Sequence, residues 1–489
     1  MEEDLSVVLV SNRGPISFVE SEHGFETKRG AGGLAGALDP VARRLGDHAV
    51  WIAAATSPAD RKALAAGVAD GLASQLGYSF YLVDVDPHTY GEYYDVVSNR
   101  MLWFANHCLW DELDIHSFGE REVDAWMSAY DPVNAHFARV AAEVADPDAL
   151  VLFQDYHLAT APGHLRKLRP NQTIFHFTHS SFCGPAGLEP LPDPIGRAVV
   201  EGMLGADLVG FHVPEWAAGF LASCEDIGAT VDRRNGRVEL HGNVSWVRTY
   251  PIPIDAAELR ERVAGEAAKK WVERLRNSSE GPVLVRADRM EPSKNIVRGF
   301  EAFGMYKDQH PEAANVRFVA CLYPSRQSMP EYRDYARSVE EVVQRVNDRH
   351  PGSIELYAED DFDRTLAALS LYDVLLVNPL MDGMNLVSKE GPALNQRSGV
   401  LVLSRGAGSF DELGDDAVGL RDPRDIQATA DALHTAFTMD PERRKALARR
   451  LKKKATDREP ETWITAQLDD LVAIRDSGEP VSSLKPPRD

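Results

Sequence analysis

A chain of 489 residues is too long for one compact core and, at ~150 residues per domain, predicts two or three domains. Its composition, 44% hydrophobic and 26% charged, is ordinary for a globular protein and excludes wholesale disorder. A formal charge of −22 argues against nucleic acid or an anionic membrane as partner, so any anionic substrate needs a place where basic residues are concentrated.

The acidic start Met1-Glu2-Glu3-Asp4 lacks the basic and apolar regions of a signal peptide, and no stretch approaches the ~18 apolar residues of a membrane span. The cysteines, Cys108, Cys183, Cys224 and Cys321, are widely spaced without a C-x-x-C. They read as reduced core thiols of a cytoplasmic protein, not as zinc ligands or a disulfide framework.

In chain order, short apolar runs recur, each ahead of a helical pattern. Leu5–Val10, Ala149–Phe153, Thr173–Phe177 and Asp207–Phe211 form a first set; Val283–Val285, Val316–Leu322, Val374–Val377 and Val400–Leu403 form a second. Rich in Val, Leu and Phe without strict alternation, they read as strands covered on both faces. Their alternation with helices predicts an α/β protein with parallel sheets. The proline-rich Tyr250-Pro251-Ile252-Pro253-Ile254-Asp255 between the sets reads as a stiff, extended connector. The expected organisation is a Rossmann-like domain over 1–252 and a second over 253–458. A helix over 459–476, with Trp463, Leu468, Leu471 and Val472 on one side, packs back on the first domain, and a disordered tail spans 477–489.

The first loop with chemical potential is Ser11-Asn12-Arg13-Gly14-Pro15, followed by Arg29-Gly30-Ala31-Gly32-Gly33-Leu34-Ala35-Gly36 at a helix start. Gly30, Gly32 and Ala35 match G-x-G-x-x-G/A in form. The dinucleotide fingerprint follows its strand directly, however, and this one does not, which argues against a nicotinamide enzyme. Bare backbone at a helix start still lets N–H groups approach a phosphate. Alone, the segment reads equally as a surface turn.

Arg289-Met290-Glu291-Pro292-Ser293-Lys294 lies just past Val283–Val285, at the strand end where open α/β sheets bind ligands. Arg289 and Lys294 are the pair of charges a departing diphosphate needs; in isolation they read as a solvated loop. In Asn378–Glu390, a buried strand runs into an Asp-Gly turn and a helix start. The N–H groups of Asn385, Leu386 and Val387 then point at an anion with the helix dipole behind them. Glu390 suits ribose hydroxyls, and Gly391-Pro392 predicts a kink or an early end, since proline costs ~3 kcal/mol in a helix interior.

Two polar pairs also follow strands: Asp155 and His157, then His176 and His179. Any one of these histidines, taken singly, reads as structural. Neither H-E-x-x-H nor D-x-D occurs, and no carboxylate pair is spaced for double displacement. Asp361 and Asp363 directly precede a helix and read as N-cap charges.

Together these segments resemble the trehalose-6-phosphate synthases, retaining family-20 glycosyltransferases of GT-B fold. The resemblance rests on S-N-R-G-P (11–15), G-G-L (32–34), E-Y-Y…S-N…L-W (92–103), Q-D-Y-H-L (154–158), D-L-V-G-F (207–211) and Y-P-I-x-I (250–254). It continues through R-x-x-x-S-K-N (289–295), Y-P-S-R (323–326), D-G-M-N-L-V-x-K-E (382–390) and L-V-L-S-x-x-A-G (401–408). These blocks are collinear over roughly 5–475.

The resemblance implies two Rossmann-like domains facing across a cleft, no metal and no cofactor. It implies that Arg289 and Lys294 bind the donor diphosphate, aided by Gly33, Gly383, Met384 and the backbone of Asn385, Leu386 and Val387. Glu390 would hold the ribose, Asp382 the transferred glucose, and His179 its 6-hydroxyl. On the acceptor side Asp155 would meet a hydroxyl, Arg13, Tyr94 and Arg326 would clamp the phosphate, and Trp103 would line the pocket. Arg289, Lys294, Asp155 and His179 are the residues expected to carry catalysis.

Two departures border the acceptor side. Where the family has a second tryptophan, this chain reads Trp51-Ile52-Ala53-Ala54-Ala55. Where the family continues Ile-Pro-Phe-Pro after the histidine, it reads Ser180-Ser181-Phe182-Cys183.

The implied reaction joins glucose from a nucleotide diphosphate to glucose 6-phosphate, giving α,α-trehalose 6-phosphate by front-face attack without a protein nucleophile. S-N-R-G-P, Q-D-Y-H and S-K-N-I-V-R-G look like the branch from high-GC bacteria and favour GDP-glucose over UDP-glucose. Glu359-Asp360-Asp361 offers acceptors for the guanine N1–H and N2–H₂. The alternatives are a relative with another acceptor (a glucosylglycerol-phosphate synthase or a validoxylamine-type pseudo-glycosyltransferase) and a non-catalytic sugar-phosphate sensor. Neither nucleic acid nor membrane is expected as a partner; a homo-oligomer is possible.

Overall fold

The computed structural model describes residues 5–22, 24–29, 33–68, 72–115, 117–277 and 281–487. The glycine turn at 30–32 therefore lies outside the described residues. The chain divides into two compact units, Met1–Pro251 with Glu461–Asp489, and Ile252–Pro460.

The strands of the first unit are β1 (Val7–Ser11), β2 (Ile16–Ser21), β3 (Gly24–Arg29), β4 (Ala49–Ala54), β5 (Ser79–Val83), β6 (Leu150–Gln154), β7 (Thr173–Phe177), β8 (Leu208–Phe211), β9 (Thr230–Asp232), β10 (Arg237–Leu240) and β11 (Asn243–Thr249). β2 and β3 pair as a separate hairpin; the other nine form one sheet in the order β5-β4-β1-β6-β7-β8-β11-β10-β9. It is parallel from β5 to β11 and closes with two antiparallel pairs. Leu150, Val151, Leu152 and Phe153 of β6 have no exposed surface. Helices on both faces account for that, and for apolar runs that do not alternate. At Gly210 a Cβ would stand 2.6 Å from the Phe177 ring, so β8 packs beside β7 only without a side chain there.

The second unit adds β12 (Val283–Arg289), β13 (Arg317–Tyr323), β14 (Ile354–Tyr357), β15 (Val374–Val377), β16 (Val400–Ser404) and β17 (Val418–Leu420). They form a fully parallel sheet in the order β14-β13-β12-β15-β16-β17. In both units the chain winds outward from a central strand and then returns beside it. The reversal falls between β1 and β6 in the first unit and between β12 and β15 in the second. Ligands of open α/β sheets bind at such switch points, beyond the carboxyl ends of the strands.

The final helix, Pro460–Ser477, belongs to the first unit, where Trp463 Nε1 donates to Tyr250 O at 2.8 Å. The disordered tail expected over 477–489 is not what residues 477–487 form. Trp246 Nε1 donates to Gly478 O (3.0 Å), Arg248 Nε to Ser482 O (2.9 Å), and Ser482 N to the carboxylate of Asp470 (2.7 Å). Asp470 is buried. The polar tail is held because its backbone satisfies buried polar groups, a role that composition does not reveal. Among the described residues no helix is long and apolar enough to cross a membrane.

Candidate active site

The first unit's switch point is lined by the segments after β1 and β6. Beyond β1, Asn12 is buried, and its side chain meets the hydroxyls of Tyr90 (3.2 Å) and Tyr93 (3.2 Å), which fixes the turn. The next residue, Arg13, is exposed, and its Nη2 donates to the hydroxyl of Tyr94 at 2.9 Å. Tyr94 lies on Glu92–Leu102, a stretch wound as a π-helix, a form frequent at functional sites. Its ring stacks on His157 at 5.6 Å, His157 on Tyr156 at 4.1 Å, and Tyr156 packs against Trp103 at 5.6 Å. Arg13, Tyr94 and Trp103 are thus joined by one row of rings. Trp103 is buried against His107 and Tyr156.

Asp155 follows β6 with φ +71° and ψ 167°, a region that side-chain-bearing residues seldom occupy and that costs ~1–3 kcal/mol. It is held there from three sides. Its N–H donates to Phe177 O (2.6 Å), its C=O accepts from Leu158 N (3.1 Å), and its Oδ1 accepts from His179 N (3.1 Å). His176 reaches the same carbonyl through Nε2 at 3.3 Å. His179 Nε2 lies 3.0 Å from Gln154 Oε1. Burial, with His212 and His176 nearby, holds His179 well below the usual imidazole range, and burial brings His176 to about 4. Both rings are neutral near pH 7, so Nε2 of His179 donates to Gln154 and Nδ1 is left as an acceptor. The Asp155 carboxylate thus holds the backbone of His179, while Gln154 holds its neutral ring.

Of the departures, Ala53, Ala54 and Ala55 are buried, and Ala53 packs against Gly14. In the other segment, Ser180 accepts from Asn106 Nδ2 at 2.9 Å.

In the second unit the loop after β12 is organised by a residue that sequence reasoning passed over, Glu291. Its carboxylate has no exposed surface, lies 3.1 Å from Arg289 Nε, and accepts from Ser325 Oγ at 2.9 Å. Burial alone would raise it, but the charges of Arg289, Arg326 and Lys294 together bring it down to about 2. One buried anion thus gathers three cations that the sequence spreads over 289–326. Arg326, expected beside Arg13 and Tyr94, has Glu291 and Tyr332 as its neighbours within the second unit.

Lys294 is buried and paired with the Asp382 carboxylate, which also accepts from Asn385 Nδ2 at 3.0 Å. Burial pulls the ammonium down, yet Asp382, Glu291 and Asp288 outweigh it and hold Lys294 above its ordinary value, so it stays charged. Behind it, Arg286 is fully buried and donates to Lys294 O and Asn378 Oδ1, both at 2.9 Å. This ties the loop after β12 to the one after β15.

The loop after β15 is clamped along its length. Asp382 N donates to Gly406 O (2.9 Å), Gly408 N to Asp382 O (3.0 Å), and Ser409 N to Met384 O (2.8 Å). A Cβ on Gly408 would stand 2.1 Å from Gly383 O, so this approach requires glycine. Asn385 adopts φ +66° and its Oδ1 accepts from Ser388 N (3.2 Å). The helix Val387–Leu394 starts there and runs only two residues past Pro392. Its first backbone bonds are donated by Lys389 and Glu390 to Leu386 O, which leaves the N–H groups of Leu386 and Val387 ahead of the ladder at the positive end of the dipole. Burial raises Glu390 to about 7. Asp361 caps Phe362–Leu371 through Arg364 N (2.9 Å) and accepts from Trp271 Nε1 (3.0 Å). Gly33 opens the helix Gly33–Leu45 of the first unit.

Paired cations at one switch point, beside a helix start and a raised carboxylate, suit a diphosphate and a ribose. The family model for glycosyltransferase family 20 matches residues 5–473. The chain belongs to glycosyltransferase family 20. It is a glycosyltransferase with the α/β GT-B fold. It is 33% identical over 492 residues to the trehalose-6-phosphate synthase of Mycolicibacterium vanbaalenii, covering 97% of this chain and 96% of that one. It is 29% identical to the α,α-trehalose-phosphate synthase (UDP-forming) of Schizosaccharomyces pombe, covering 97% and 92%. A crystal structure of the UDP-forming α,α-trehalose-phosphate synthase from Burkholderia vietnamiensis matches with a TM-score of 0.81 at 26% identity, over 97% of this chain and 99% of that one.

Proposed function

We propose that this family-20 glycosyltransferase makes α,α-trehalose 6-phosphate from a nucleotide-diphosphate glucose and glucose 6-phosphate. The observation that carries the reading is the charge arrangement about Glu291 and Lys294, matched to a leaving diphosphate, in a chain whose relatives are named for this synthesis.

The chemistry derives from the groups at hand. As the C1–O bond of the donor breaks, negative charge grows on the diphosphate. Arg289, Lys294 and the N–H groups of Leu386 and Val387 stabilise that charge without reorganising. The acceptor hydroxyl attacks from the same face and passes its proton to the departing phosphate oxygen, which needs no protein base. Asp382 and neutral His179 orient glucose hydroxyls, and Asp155 orients the acceptor. Arg13 and Tyr94 bind the acceptor phosphate, with Arg326 as the further cation.

The donor base we assign is guanine ahead of uracil. Both oxygens of Asp361 are already used, by the helix cap and by Trp271, and Oε2 of Glu359 takes Arg364 Nη1 at 3.4 Å, so the acceptors left in this segment are Asp360 and the other oxygen of Glu359. The names of relatives that specify UDP weigh on the other side. A panel of both donors against glucose 6-phosphate, glycerol 3-phosphate and a cyclitol phosphate, with the products identified, tests the reading. Product with glycerol 3-phosphate and none with glucose 6-phosphate would transfer the assignment to a relative with another acceptor.

A further inference from the structure

The spacing of histidines and carboxylates in the sequence predicts no metal site, yet the second unit brings three metal-competent side chains together. His310 closes the helix Ile296–Gln309, Glu312 lies in the following turn Pro311–Ala313, and His434 stands on the helix Ile426–Phe437. One ligand-capable atom from each lies within 4.8 Å of those of the other two. His310 Nδ1 is 3.2 Å from Glu312 Oε1, and the rings of His310 and His434 stack at 3.8 Å. Tyr306 flanks both rings, at 5.3 and 6.3 Å. His434 Nδ1 is buried and meets no hydrogen-bond partner among the described residues.

We propose that His310, Glu312 and His434 bind one late first-row divalent cation, zinc being the expected one. Two imidazoles and a carboxylate are a donor set that zinc accepts with a water in the fourth position; magnesium and calcium prefer oxygen alone. A tetrahedral ion with bonds of about 2.0–2.2 Å holds its ligand atoms about 3.3–3.6 Å apart, so the three must close by about 1 Å. The stacked rings must also turn, because a bound ion lies in the plane of each. That turn is about the Cβ–Cγ bond, a broad torsion, and the Glu312 side chain is 68% exposed and able to follow.

The cation would tie the end of Ile296–Gln309 to Ile426–Phe437, helices that pack on each other in the same unit. Lys294 lies just ahead of the first of these helices, roughly 20 Å away by its length, so the ion supports the fold and takes no part in the transfer.

The test uses the full chain without a histidine tag, stripped with chelator and titrated with ZnCl₂ by calorimetry while melting is followed in parallel. We expect one ion per chain with a Kd of roughly 10 μM or tighter and a higher Tm with zinc. The double variant His310→Ala/His434→Ala should lose this binding, and Glu312→Gln should weaken it by about tenfold or more. Glu312 is largely exposed, so its variant reports on ligation even where the double variant melts early. No stoichiometric binding below about 1 mM, or wild-type affinity in both variants, overturns the proposal. Neither result depends on which sugar the protein transfers.

Discussion

Arg289 Nε lies 3.1 Å from Oε1 of Glu291, a carboxylate with no exposed surface. The pair fixes where the arginine stands, and the same anion offsets Lys294 and Arg326. Removing a buried charge strands its partners at a cost of about 3–5 kcal/mol, so Glu291→Gln should lower the Tm and cut kcat/KM by roughly tenfold or more. Steady-state kinetics on the folded fraction check this; unchanged kcat/KM would mean that Glu291 serves the fold alone.

Arg289 should matter more for turnover than for stability, whereas Lys294, buried against Asp382, carries both, so Lys294→Ala should lower the Tm as well. Arg289 is half exposed, and Arg289→Ala or Lys294→Ala should each lower kcat by ~10²-fold or more, the scale for losing one electrostatic stabiliser. Turnover within a few-fold of wild type would place the leaving group elsewhere.

Glu390 gives a pH signature. Its carboxyl is raised from 4.5 to about 7 by burial, so the fold favours the protonated form. That contribution is complete below about pH 4.5 and is lost as pH rises through about 7, up to roughly 3 kcal/mol in all. Glu390→Gln should therefore melt higher than wild type at pH 8, with the gap closing by pH 4, while losing kcat/KM through the ribose contact. Melting curves at the two pH values decide it; a pH-independent gap would contradict the shift.

Much of this fold was legible in the sequence, and the reasons are local. Thr173–Phe177 and Val374–Val377 are strands over the range expected, because both faces of each are covered and the run is apolar throughout. β5 was not legible, since this five-residue edge strand is only partly buried, with Tyr81 exposed and Ser79 and Leu82 half-buried. Nor was the hairpin β2–β3, which buries only Phe18 of β2 and leaves even Val19 exposed. At the site, the motif around Asp382 announces itself through an Asp-Gly turn at a helix start. Glu291 does not: standing among charges, it reads as solvated, yet it is buried and accepts from Ser325, more than thirty positions away. Its signal was its place between the two cations of R-M-E-P-S-K.

Chelation separates the two halves of the metal question. Turnover should survive EDTA, apart from modest effects of magnesium on the nucleotide, even though the Tm falls if zinc occupies His310, Glu312 and His434. Loss of turnover rescued by Mn²⁺ would contradict a transfer driven by protein cations.

Donor choice is measured by kcat/KM with GDP-glucose and UDP-glucose. Glu359 and Asp360 are exposed and stay hydrated whichever base is bound, so the preference they predict for guanine comes from accepting its N1–H and N2–H₂ where uracil offers a single N3–H, and it is modest. A preference for UDP-glucose of about tenfold or more ends that assignment and leaves the transfer chemistry untouched.

The central claim, retaining transfer of glucose to glucose 6-phosphate, is tested most directly by following the reaction by proton NMR with either donor. The account predicts a phosphorylated disaccharide whose two anomeric protons both carry the small couplings of α linkages, joined 1,1, with nucleoside diphosphate released in equal amount. Hydrolysis of the donor without a disaccharide, or a product with a β linkage, would contradict it.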